Sequence, residues 1–150
     1  MIHRREFFAG LGAMAVLASC GPAGPGAVTL VAQGAAGMNP GPDGSDRPLT
    51  LQVVQLRGSG AFDSADAFAL SNPAAALGAD LIKIDVIALA PGGKAEKTIA
   101  LDPGTAILGI IAGFRDPAGK VFRVKASIAP TDTLTFQVNV GAGGISLVPA

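Results

Sequence analysis

From Thr133 to Val140 apolar and polar residues alternate without a break. Leu134, Phe136, Val138 and Val140 fall on one face, Thr135, Gln137 and Asn139 on the other. A period of two is that of a strand buried on one side. The same period sets Phe122, Val124, Ala126 and Ile128 against Arg123, Lys125 and Ser127, and Ile82, Ile84, Val86 and Ala88 against Lys83 and Asp85. Thr105 to Phe114 is almost continuously apolar, the pattern of a central strand covered on both faces. Further strands are predicted at Ala27 to Gln33, with Val28 and Leu30 on one face, and at Leu49 to Leu56, Lys94 to Leu101 and Ile145 to Val148. The phase of the second strand changes at Val53-Val54, which predicts a bulge or burial on both faces. Turn chemistry separates the later strands at Pro91-Gly92-Gly93, Asp102-Pro103-Gly104, Asp116-Pro117-Ala118-Gly119 and Gly141 to Gly144. About eight short strands at this spacing predict an all-β, two-sheet β-sandwich.

Two stretches interrupt the alternation. After Gly58-Ser59-Gly60, Asp63 or Ser64 is placed to cap a short helix through Leu70, with Asp66 in its first turn. Asn72 then caps a second helix with Pro73 at its first position and Gly78 past its end. A short helical insertion between the second and third strands, at residues 62–78, follows. Phe62 and Phe68 read as core beneath it rather than as a ligand cage. The other stretch is the loop from Gly34 to Pro48, with Asn39-Pro40, Pro42-Asp43-Gly44 and Arg47-Pro48 as turn signals. A loop of that length without structure is usually functional or mobile.

The start of the chain has a different character. Arg4 and Arg5 precede an apolar run from Phe7 to Ala18, too short for the about 20 residues that span a bilayer. It reads as a signal peptide covering residues 1–19. Arg4-Arg5-Glu6-Phe7-Phe8 resembles a twin-arginine export motif, and an ordinary secretory leader accommodates the same residues. Leu17-Ala18-Ser19-Cys20 resembles a bacterial lipobox, with cleavage before the only cysteine of the chain and acylation of its thiol and new α-amine. Residues 20–26, rich in Gly and Pro, then form a lipidated tether to a single domain at 27–150.

Composition narrows the chemistry. With 11 basic and 11 acidic residues the chain has no basic excess for nucleic acid. The one histidine, His3, lies in the leader, so the mature chain has no imidazole for a triad, a zinc site or general-base work. Asp43 and Asp46 lack the spacing of a calcium loop and read as a solvated turn. Helix capping accounts for Asp63 and Asp66, and Arg115 reads as the point where the apolar strand exits to water. No catalytic residue, cofactor, metal or small-molecule substrate is expected. A periplasmic β-sandwich lipoprotein acting as a binding or assembly module fits.

A series of segments carries a family resemblance. Met38-Asn39-Pro40 precedes a Pro-rich loop, and Val53-Val54-Gln55-Leu56 follows. Then come Phe62 with Ala65 to Leu70, Leu77 to Leu81, Pro91-Gly92, and Gly109 to Asp116 containing Ala112-Gly113-Phe114-Arg115-Asp116. In this order, behind a lipobox, they resemble TssJ, the outer-membrane lipoprotein family of the bacterial type VI secretion system. The resemblance covers roughly Ala27 to Ile128. It implies a transthyretin-like sandwich with an inserted helical piece, facing the periplasm. It also implies a structural role: binding the periplasmic C-terminal region of TssM, the inner-membrane component, through the loop between the first two strands. On that loop Met38, Asn39, Pro40, Asp43, Asp46 and Arg47 become the candidate contacts, Met38 as an adaptable apolar one and the charges as setters of register at the rim. The sequence departs from the pattern at Ala67, Ser71 and Asn72, where aromatics are usual, at Val54, where tyrosine is frequent, and at Gly41 to Gly44. These bear on partner choice more than on fold, because interface hot spots are often aromatic.

Overall fold

Eight strands form as the alternation requires: β1 (Ala27–Gly34), β2 (Leu49–Leu56), β3 (Leu81–Leu89), β4 (Lys94–Ala100), β5 (Ile107–Ala112), β6 (Arg123–Ser127), β7 (Thr133–Gly141) and β8 (Gly144–Pro149). The computed structural model describes residues 24–150. The leader with Arg4 and Arg5, the cleavage-site residues Leu17, Ala18 and Ser19, and Cys20 itself lie outside the described residues. The strands make two four-stranded sheets, ordered β4-β1-β7-β8 and β3-β2-β5-β6. All pairings are antiparallel except β1 with β7, which run parallel with Leu30 opposite Phe136.

The inner faces meet in one core. Val28, Leu30, Ala32, Phe136, Val138 and Val140 come from the first sheet, and Leu51, Val53, Ile87, Leu108 and Ile110 from the second. Phe136 is buried as its phase predicts, while Gln137 is half-buried rather than fully exposed. On one side the sheets are joined by a bridge between Val121 and Gly144. On the other, Lys97 of β4 stands 3.9 Å from Asp85 of β3 and donates to the Val86 carbonyl. Charged side chains on such edges discourage pairing with another chain.

The insertion comprises three short helices, α1 (Gly60–Ser64), α2 (Ala67–Leu70) and α3 (Pro73–Leu77), followed by a 3₁₀ turn at Gly78–Asp80. It is thus not one helix through Leu70. Neither Asp63 nor Ser64 caps it: Ser59 stands at the start of α1, and Asp66 caps α2 by accepting from the Ala69 N–H at 2.8 Å. Asn72 precedes α3 without a side-chain capping bond. The helices pack Phe62, Leu70 and Leu77 on Val54, Leu56 and Ile111 of the second sheet's outer face. That second core explains the phase change at Val53-Val54: both faces of β2 are buried. A register shift against β3 between Gln55 and Leu56 adds a local irregularity.

Three apolar expectations change, the first at Leu134, which is 37% exposed near the start of β7 although its phase points inward. The face holding Ile84, Val86 and Ala88 is the outer face of the sheet; the helices cover Ile84 but stop short of Val86, which is 50% exposed. Phe68 is not core: it stands 88% exposed on α2, because the break at Ala65-Asp66 turns that helix's other side to the sheet.

Candidate partner-binding loop

Strand direction gives the sandwich two distinct poles. β1 starts beside the tether and runs eight residues, about 25 Å, to the loop at the other pole. The β5–β6 connection and the β7–β8 turn lie at that far pole too, since Ala112 pairs opposite Leu51 and Gly141 opposite Gly144.

The loop between β1 and β2 is built, not slack. Pro40 and Asp46 form an isolated antiparallel bridge. Inside it Gly41 N–H donates to the Ser45 carbonyl and Gly44 N–H to the Gly41 carbonyl, at 2.8 and 2.9 Å. Gly44 takes φ +83, a value that side chains disfavour, so glycine suits this turn. Asp46 accepts from the Gly37 N–H at 2.7 Å and closes the base of the loop.

Asn39 and Arg115 tie this loop to the β5–β6 connection. The Asn39 amide donates to the Pro48 carbonyl at 3.0 Å and accepts from the Arg115 backbone N–H at 2.9 Å. The Arg115 guanidinium then donates through Nε to the Pro40 carbonyl at 3.0 Å. Arg115 is exposed at the strand's end as expected, but it also clamps the loop.

The six candidate residues therefore divide. Met38, expected as a surface contact, is fully buried in the main core, where Gly34 leaves room for it: a Cβ there would stand 2.6 Å from its sulfur. Asn39 is 6% exposed and Pro40 half-buried. Only Asp43, Asp46 and Arg47 present side chains to solvent, with Pro42, Gly44 and Ser45 around them. The Arg47 guanidinium lies against Gly41 and 3.7 Å from the Asp43 carboxylate. Hydrogen bonds from Ser45, from hydroxyl and backbone, hold the Asp43 carboxyl below its ordinary range, with Arg47 adding to the effect. The tip thus offers a fixed pair of opposite charges on a pinned backbone.

Arg115 was legible as the exit of the apolar strand to water, and its clamping role had no separate signal. Arg123 was missed also. Its guanidinium donates to the Phe62, Ala65 and Asp63 carbonyls and latches α1 to β6. Among the described residues no three of His, Cys, Asp or Glu gather where a metal ion could sit, and no helix is long and apolar enough to cross a membrane.

Residues 26–143 match the family described as type VI secretion lipoprotein, VasD, EvfM, TssJ. The chain is similar to the crystal structure of the T6SS lipoprotein TssJ1 from Pseudomonas aeruginosa, at 31% identity and a TM-score of 0.77, over 85% of this chain and 98% of that one. It is also similar to Serratia marcescens Lip, a membrane-bound component of the type VI secretion system, at 24% identity and 0.75, over 83% and 98%. A structure titled as the T6SS protein TssM C-terminal domain (869-1107) from EAEC matches at 24% and 0.68, again over 83% and 98%. No curated protein matches significantly. The family match and the 31% identity to TssJ1 agree with the sandwich and its helical insertion: this chain belongs to the TssJ family of type VI secretion lipoproteins.

Proposed function

We propose that the chain is a non-enzymatic structural member of the type VI membrane complex. It is held in the outer membrane by acylated Cys20, faces the periplasm and binds the periplasmic C-terminal region of TssM through the tip of its β1–β2 loop. The observation that carries this reading is polarity. The tether and the pinned loop lie at opposite ends of β1, so an anchor at Cys20 leaves the loop pointing into the periplasm. A loop already held by Asn39, Asp46 and Arg115 has little ordering cost left on binding. A structure titled for the TssM C-terminal domain is among those whose fold this chain shares.

The test replaces only the exposed tip, Pro42 to Ser45, by alternating Gly and Ser. Met38 and Asn39 stay, because shortening the loop from Met38 would remove a core side chain. Calorimetry against the purified TssM periplasmic C-terminal region should show a loss of at least about tenfold, or 1.4 kcal/mol. Full affinity in a folded tip variant would move the interface to the helical insertion, where Phe68→Ser is the next variant to measure. No binding by the unaltered protein would end the TssM reading. Mass spectrometry of the N-terminal peptide decides acylation of Cys20 separately.

A further inference from the structure

The pole where the tether joins the sandwich carries a groove of about 650 Å³. Pro25, Leu101, Pro103, Pro130 and Thr131 line it with the half-buried Asp102 as its one carboxylate, and among the described residues no Lys or Arg does. We infer that this pole rests on the bilayer and that the groove takes interfacial acyl chains of the phospholipids around the anchor. The inference rests on the acylation of Cys20 proposed above.

Chain length sets the distance. Gly24, on the groove wall, stands four residues after Cys20, and four residues reach at most about 14 Å. The acyl chains on Cys20 must lie in hydrocarbon, beneath a headgroup layer about 5–7 Å thick. The groove is thereby held within about one further layer of the membrane surface.

The chemistry of the pole suits contact with lipid. Its three prolines present apolar rings and no N–H donor. The neighbouring backbone donors are already bonded: Gly26 to the Pro130 carbonyl at 2.8 Å, Ala27 to Asp132 at 2.9 Å and Leu101 to Gly26 at 3.0 Å. Beneath them the fully buried Gln55 accepts from the Asp102 N–H and the Thr105 hydroxyl, both at 2.8 Å, and donates to the Ala100 carbonyl at 3.0 Å. These bonded donors lose no water when lipid covers the face, and the Asp102 carboxylate is the group that must keep to the headgroup side. The opposite pole shows Asp43, Asp46 and Arg47.

The chain has no Trp and no Tyr, so one introduced tryptophan reports alone. Thr131→Trp marks the groove and Ser45→Trp the far loop. Each full-length acylated protein is reconstituted into phosphatidylethanolamine–phosphatidylglycerol vesicles, with and without lipid brominated on its acyl chains. Bromolipid should quench the tryptophan at 131 and shift its emission to the blue, and should leave the one at 45 unchanged. An unquenched reporter at 131 in vesicle-bound, acylated protein overturns the inference. Should Thr131→Trp fail to fold, Pro103→Trp reports from the same groove. If mass spectrometry finds no acyl group, the acylation reading fails by itself. The quenching is then read on protein carrying a diacyl-glyceryl maleimide on Cys20, the only thiol.

Discussion

A Cβ placed on Gly109 would stand 2.8 Å from Cε2 and 2.9 Å from Cζ of Phe62. The ring of α1 lies directly on the backbone of β5, and Phe62 is 1% exposed as a result. Any side chain at 109 would lift the insertion off the sheet. The contact turns an outer sheet face into a second core, and Arg123 secures it by holding the carbonyls at the end of α1.

Gly109→Ala should therefore destabilise the domain by about 1–3 kcal/mol through overpacking. Val54 Cγ2, 3.0 Å from the added carbon, blocks the alternative shift. Urea denaturation followed by far-UV circular dichroism measures it. A midpoint equal to the unaltered protein's would mean that α1 is not seated as described.

The two phenylalanines of the insertion should behave oppositely. Phe62→Ala removes a buried ring and should cost about 3–5 kcal/mol. Phe68→Ser removes an 88% exposed one and should change stability by no more than about 0.5 kcal/mol. Equal losses from the two variants would put Phe68 in the core after all.

Acid should loosen the latch on α1. Lys125 Nζ stands 2.6 Å from Asp63 Oδ2, and this bond, ahead of smaller contributions from Ser59 and Arg123, holds the Asp63 carboxyl below its ordinary 3.8. A folded value below the unfolded one means the pairing stabilises fully above the unfolded value and is lost as pH falls through the folded one. Asp63→Asn should thus be less stable than the unaltered protein at neutral pH, by the small amount expected of an exposed pair. The difference should vanish in strong acid. A gap that persisted there would assign the effect to packing instead.

The strands were legible because a half-buried strand writes its phase directly into the sequence, as β7 does from Thr133 to Val140. Burial on both faces was legible at Val53-Val54, though what covered the second face was not: the packing of Phe62 on Gly109 depends on two segments far apart in the chain. Phe62 and Phe68 sit in similar local sequence, and only the break at Ala65-Asp66 separates their fates. The loop showed its turns in its prolines and glycines. Its division into buried base and exposed tip was hidden, because Met38 is drawn inward by the gap at Gly34 and Asn39 is fixed by a backbone N–H at residue 115.

That long-range tie gives the last prediction. Asn39→Ala leaves the Arg115 N–H and the Pro48 carbonyl without their partner in a part-buried site. An unmade buried bond costs about 1–3 kcal/mol, so this variant should lose stability measurably. Arg115→Ala keeps the backbone N–H that Asn39 accepts and loses only the side-chain bond to Pro40, so its stability should change less. Both should weaken binding to the TssM region, because both release the loop that carries Asp43 and Arg47. Hydrogen exchange at the Gly41 and Gly44 amides, bonded within the loop, should quicken in each. Unchanged exchange in Asn39→Ala would show that the Pro40–Asp46 bridge alone holds the tip, and Asn39 would then be a core polar residue with no part in recognition.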